Sequence, residues 1–237
     1  MTGPVATGAL DGEVHVWRAT LDRGRDVVEE LHGLLSSDER ARAARFRFRR
    51  DRDRYVVGRG LLRRLLAGYL GIDPGAVAFR YGAHDKPELD GTAPAFNVSH
   101  SGPVALFAFV NAGEIGVDVE LEREQPDHEQ IAERFFSPAE RDALRALPAA
   151  LRSHGFLACW TRKEAFVKAR GDGLSLALDS FDVSLEPDAP PALLRTAWSR
   201  DEARRWRLVD LSDPACGYVA SLAVHSGAGP LVSREAP

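Results

Sequence analysis

The sequence predicts an α+β protein, a pseudo-twofold fusion of two similar halves with a cleft between them. Two observations predict it. Matching helix starts, "SSDER" (36–40) and "SPAER" (137–141), lie about 101 residues apart. A strand-like stretch precedes each start, and a long helix and further strand-like segments come after it. Halves of 1–112 and 113–237 result, with the boundary at "NAGE" (111–114). Chance similarity between the two stretches is the alternative.

The elements support the repeat in order. "VHVWRATL" (14–21) leads the first half, and Ser36 and Glu39 have capping-box spacing. A helix over about 51–70 carries Leu61, Leu62, Leu65, Leu66 and Tyr69 on one apolar face. "AFNVSHSGPVALFAF" (95–109) then reads as strand. The second half repeats this with "IGVDVEL" (115–121), a capping box from Ser137 to Glu140 with Pro138 at the first helical position, and a helix over about 154–170 closed by Gly171. "LEPDAPPALL" (185–194) reads as a Pro-rich surface loop, "RRWRLVDL" and "GYVASLAV" as strands, and the tail "HSGAGPLVSREAP" as frayed.

A chain with 44% hydrophobic and 28% charged residues is globular rather than disordered. Cys159 and Cys216 lack a CxxC partner and fit buried thiols in a reducing cytosol. The N-terminus lacks the pattern of a secretory signal, and the longest apolar run, "VALFAFV" (104–110), is too short to span a bilayer. A soluble, cytoplasmic protein with no membrane partner is expected. Formal net charge is −4, yet residues 40–64 hold eleven arginines and two acids. That stretch suits phosphate, while the whole chain is no general polyanion binder.

The carboxylates of "IGVDVE" (115–120) are the sharpest chemical signal. Side chains alternate along a strand, so Gly116, Asp118 and Glu120 share one face and the apolar residues the other. The acids then face a cleft or solvent. Taken alone, the six residues fit an edge strand with a wet polar face more simply than a site. On the later helix Trp160, Glu164 and Lys168 lie at i, i+4 and i+8, hence on one stripe. If that helix packs beside the strand, three carboxylates converge, and their repulsion calls for a cation. An all-oxygen ligand set favours Mg²⁺, which readily accepts phosphate oxygens.

"NVSHS" (97–101), "IGVDVE" (115–120), "RFFSPAE" (134–140) and "WTRKEAFVKARGDGLS" (160–175) together resemble, in order and spacing, the 4'-phosphopantetheinyl transferases. The likeness is to the two-domain type that activates surfactin synthetase and similar carrier proteins, and it covers most of 36–183. It implies transfer of the 4'-phosphopantetheine arm of coenzyme A to a serine of an apo acyl or peptidyl carrier domain, releasing adenosine 3',5'-bisphosphate. It implies Mg²⁺ (or Mn²⁺), coenzyme A held between the halves, and a monomer resembling a covalently fused pair of smaller enzymes.

By the same resemblance, Asp118, Glu120 and Glu164 are the metal ligands and Glu164 the leading general base. Lys168 matches a lysine that contacts the pyrophosphate and steadies the leaving bisphosphate. His100, beside Ser99, matches a histidine that binds the 3'-phosphate. Lys86 matches a lysine of the same nucleotide pocket, although Asp85 stands where the family commonly has Gly. Arg42 and Arg54 match further coenzyme-binding cations, with Arg40 behind them, and the remaining arginines read as a solvated face. Trp160 reads as core. Phe135 and Phe136 read as either a hydrophobic staple or a docking surface for the carrier. The rival readings are a nucleic-acid binder using 40–64, disfavoured by the net charge, and an inactive relative serving as a scaffold.

Overall fold

The computed structural model describes residues 3–81, 87–89, 94–122, 127–171 and 173–237. They divide into two units: 1–96 with 102–112 and 230–237, and 97–101 with 113–229. The first runs through β1 (Val14–Thr20), α1 (Arg25–Gly33), α2 (Ser37–Ala44), α3 (Arg49–Leu70), a hairpin of β2 (Phe79–Tyr81) and β3 (Pro87–Leu89), the start of β4 (Ala95–Ser101), whose residues 97–101 group with the second unit, and β5 (Val104–Val110). The second repeats that order: β6 (Ile115–Leu121), α4 (His128–Phe135), α5 (Pro138–Ala146), α6 (Ala149–Arg170), a hairpin of β7 (Phe181–Val183) and β8 (Leu193–Thr196), β9 (Trp206–Asp210) and β10 (Tyr218–His225). A last strand, β11 (Leu231–Glu235), returns to the first unit. The sheets repeat as well. β5 lies between β1 and β4 as β10 lies between β6 and β9. The α+β class and the repeat expected from the two helix starts are therefore present.

One buried carboxylate explains why each helix start matters. Ser36 Oγ accepts the Glu39 N–H at 3.3 Å, and Glu39 Oε2 accepts the Ser36 N–H at 2.9 Å. The same oxygen takes Arg63 Nε at 2.7 Å, and Arg63 also donates to the carbonyls of Pro74 (3.1 Å) and Val77 (2.9 Å). In the second unit the Ser137–Glu140 box recurs. Glu140 Oε1 meets Lys163 Nζ at 2.8 Å, and Lys163 donates to the Leu178 and Phe181 carbonyls at 2.7 Å each. Each Glu thus ties a helix start, the next long helix and the segment leading to the hairpin. Both pairs are buried, so their polar atoms need these partners. Arg63 and Arg59, which is 3.2 Å from Glu39 Oε1, correct the expectation of a solvated face: they belong to this buried cluster.

α3 and α6 start at Arg49 and Ala149, ahead of the expected 51 and 154, and end at Gly71 and Gly171 with φ of 65° and 76°. The early start of α6 comes from its Ala-rich lead, good helix formers that run back to Pro148. Leu61, Leu62, Leu65 and Leu66 are buried as their spacing requires, and the Tyr69 hydroxyl accepts the Trp17 Nε1–H at 2.8 Å.

Three expectations are corrected. The tail is not frayed: β11 pairs in parallel with β1, Arg18 Nε meets Glu235 Oε1 at 2.7 Å, and Ala236 is buried. The Pro-rich stretch is loop only between Leu185 and Leu193, both buried, and β8 starts at Leu193. Of the two thiols expected to be buried, Cys159 is buried and Cys216 is exposed. No described helix is long and apolar enough to cross a membrane.

In the second unit α6 lies directly on β6. A Cβ placed on Gly116 would stand 2.0 Å from the Ala165 carbonyl oxygen and 2.4 Å from the Ala169 nitrogen, so only glycine fits there. Gly116→Ala is expected to destabilise the protein by ~1–3 kcal/mol or more through overpacking against helix backbone, read as a lower urea midpoint. Lys163→Met leaves Glu140 buried without its cation, and the expected cost in the same measurement is about 3–5 kcal/mol.

A carboxylate-lined candidate active site in the second unit

The close approach at Gly116 brings the acidic face of β6 against α6. Asp118 and Glu120 come after Gly116 on that face, and Glu164 and Lys168 face them from the helix. With Ser99 and His100 they line one cavity of about 520 Å³, whose apolar wall includes Phe135, Trp160 and Leu178. The strand and helix acids therefore converge on one cavity. Asp118 lines it although helix packing leaves it only 4% exposed.

Burial sets the local chemistry. Asp118 Oδ1 accepts from Lys168 Nζ at 2.6 Å and from Ser99 Oγ at 2.9 Å. Asp118 Oδ2 is buried and has no hydrogen-bond partner among the described residues. Lys168 Nζ also donates to Ser99 Oγ (3.0 Å) and to the Val117 carbonyl (3.4 Å). Burial, and then the Asp118 charge, raises the Glu164 carboxyl above its ordinary range, while Lys168 pulls it back.

These residues fit a hard divalent cation on two counts. The donor set is all oxygen, and Asp118 Oδ2 is a buried acceptor with unused capacity. As the side chains stand, no three His, Cys, Asp or Glu groups among the described residues lie close enough to share one ion. Lys168 instead supplies the cation at Asp118, so a shared ion requires side-chain turns.

The other expected site residues are more dispersed. His100 is exposed. The Ser99 hydroxyl is committed: it donates to Asp118 and accepts from Lys168 and the Val119 N–H (3.3 Å). Lys86 lies outside the described residues. Arg42 and Arg54 belong to the first unit. Arg54 pairs with both Asp22 oxygens at 2.6 and 2.8 Å, and this hydrogen bonding lowers the Asp22 carboxyl below its ordinary range. The Arg42 guanidinium sits 5.9 Å from the Tyr55 ring centroid, and Arg40 donates to the Gly33 carbonyl at 3.0 Å.

The aromatic residues divide differently from expectation. Trp160, expected as core, stacks on Phe156 (6.3 Å) and also lines the cavity. Phe135 lines it edge-on to Trp160, whereas Phe136 is buried against Phe156. Sequence reasoning missed Asn97 and Ser101, although their two-residue spacing from Ser99 places all three on one side of β4. Nothing local in the sequence marks Leu178 as a cavity residue.

Residues 114–223 match the 4'-phosphopantetheinyl transferase superfamily, and residues 19–111 match the 4'-phosphopantetheinyl transferase N-terminal family. The chain is 43% identical over 219 residues to the 4'-phosphopantetheinyl transferase HetI of Nostoc sp., covering 91% of this chain and 89% of that relative. It is 36% identical over 196 residues to a putative 4'-phosphopantetheinyl transferase of Synechocystis sp., covering 81% and 77%. To the 4'-phosphopantetheinyl transferase Sfp of Bacillus subtilis it is 34% identical over 161 residues, covering 68% and 70%.

A raised carboxyl binds more protons folded than unfolded, so Glu164 costs stability as pH rises from the ordinary carboxylate range through its folded value. In EDTA, Glu164→Gln is therefore expected to raise Tm by a few degrees at pH 8. The gain should vanish below the ordinary carboxylate range, where both states hold the proton. Thermal scans across pH check this.

Proposed function

The chain belongs to the 4'-phosphopantetheinyl transferase superfamily, and on that premise we propose how its residues carry the phosphopantetheine arm of coenzyme A to a serine hydroxyl of an apo acyl or peptidyl carrier domain. The observation that supports the reading most is the cavity in which Asp118, Glu120, Glu164 and Lys168 meet, with one Asp118 oxygen buried and unused. Asp118, Glu120 and Glu164 would hold Mg²⁺, with Mn²⁺ as the alternative. When bound, such an ion withdraws charge from a diphosphate and aligns it.

The chain's own groups do the rest. Glu164 takes the proton of the attacking serine, directly or through a water, and burial with the Asp118 charge raises its carboxyl above the ordinary range, which makes it a stronger base. Lys168 offsets the charge that develops on the departing adenosine 3',5'-bisphosphate, turning from Asp118 toward the phosphates. His100, exposed on the cavity wall, meets the 3'-phosphate of the nucleotide. Arg42, Arg54 and Lys86 supply the further cations, and guanidinium binds phosphate in two-pronged fashion as Arg54 binds Asp22. Ser99 acts in the same pocket through Asp118 and Lys168. The Phe135, Trp160 and Leu178 wall offers an apolar surface to the arm or the carrier. The protein works as a cytoplasmic monomer.

The test is to incubate the protein with coenzyme A, Mg²⁺ and several apo carrier proteins and to record intact masses. A phosphopantetheine-sized gain on a carrier is expected, abolished by EDTA. Asp118→Ala should lower the rate by more than ~100-fold, beyond the effect of losing an outer partner of a metal ligand. No gain on any carrier would sink the reading.

A further inference from the structure

β6 is an edge strand of its sheet, yet its outward N–H groups are not bare. Side chains of β4 take them in turn: Asn97 Oδ1 accepts from Val117 N at 2.9 Å, Ser99 Oγ from Val119 N at 3.3 Å and Ser101 Oγ from Leu121 N at 3.2 Å. The two serines do more than the asparagine. Ser99 Oγ donates to Asp118 Oδ1, and Ser101 Oγ donates to Glu120 Oε2 at 2.8 Å. A hydroxyl has one proton, and the N–H it accepts from the strand fixes where that proton points.

Resting on the reading of Asp118 and Glu120 as cation ligands, we propose that Ser101 is a positioning residue for Glu120, as Ser99 is for Asp118. Each serine is anchored on the strand that carries the carboxylate and holds one of its oxygens. For Asp118 the other oxygen is the buried, unused Oδ2, which is left for a divalent cation. Hydrogen bonds of this outer kind fix a ligand's rotamer before the ion arrives, and their loss typically weakens metal binding 10–100-fold. Asn97 supplies an internal control, because it makes the same backbone bond and, among the described residues, hydrogen-bonds neither carboxylate.

The probe is Mn²⁺ alone, with free Mn²⁺ counted by EPR against full-length protein. Ser101→Val removes the hydroxyl and should weaken Mn²⁺ binding about 10–100-fold, whereas Ser101→Thr, of the same shape with the hydroxyl kept, should stay within about threefold of the parent. Asn97→Ala should lower Tm and leave Mn²⁺ affinity within about twofold. Equal affinity in Ser101→Val and the parent overturns the proposal while leaving the transferase reading intact. An equal loss in Asn97→Ala overturns it too, since any broken rung would then do the same. A parent that transfers the arm in Mg²⁺ but binds no Mn²⁺ overturns it with the ligand assignment, and a parent that does neither removes the transferase reading as well.

Discussion

The contact between Gly116 and the backbone of α6 is the constraint on which the candidate site depends. Helix and strand approach closely because no side chain separates them at that point. The next residues on the same face, Asp118 and Glu120, are then held against the helix stripe that carries Glu164 and Lys168. A larger residue at 116 would push the helix out and separate the groups, whatever the sequence of either element. The energetic consequence is a carboxylate, Asp118, driven into low dielectric and neutralised by Lys168. The resting site therefore supplies a cation to Asp118 before any ligand binds.

A buried carboxylate in each unit carries the fold itself. Glu39 and Glu140 close a helix cap, anchor the next long helix and, through Arg63 and Lys163, reach the carbonyls ahead of the hairpin. Because Arg63 and Lys163 replace each other in this role, the two units keep one geometry with different cations. The pair Lys163 and Glu164 illustrates how tightly function and framework are interleaved. One side chain is fully buried in the framework and its neighbour lines the cavity, because successive helix residues point about 100° apart.

What the sequence revealed was what depends on short-range rules. The capping boxes at Ser36 and Ser137, the left-handed Gly171 and the strand over "IGVDVE" are local, and the structure bears them out. The stripe of Trp160, Glu164 and Lys168 is local too, and all three reach the cavity. The readings that failed depend on distant partners. The tail looks frayed in sequence because its partner, β1, lies more than two hundred residues before it. The burial of Arg59 and Arg63 depends on Glu39, whose capping spacing is visible but whose grip on two arginines is not. Ser101 carries no local mark of its bond to Glu120, which lies across a strand boundary, although its spacing from Ser99 is plain.

The two units do not each occupy one continuous stretch of chain. Residues 97–101 group with 113–229, and residues 230–237 return to the unit built from 1–96 and 102–112. A break in the polypeptide at 112 and 113 would strip the later fragment of the side chains that clothe the edge of β6, and the earlier fragment of the strand that covers β1. Ancestrally separable or not, the halves now lend each other pieces, so neither can be made as a simple fragment with its native edges intact. Proteolytic nicking there, or a split-protein design cut at the same place, would expose two unsatisfied strand borders at once, the kind of surface on which chains aggregate.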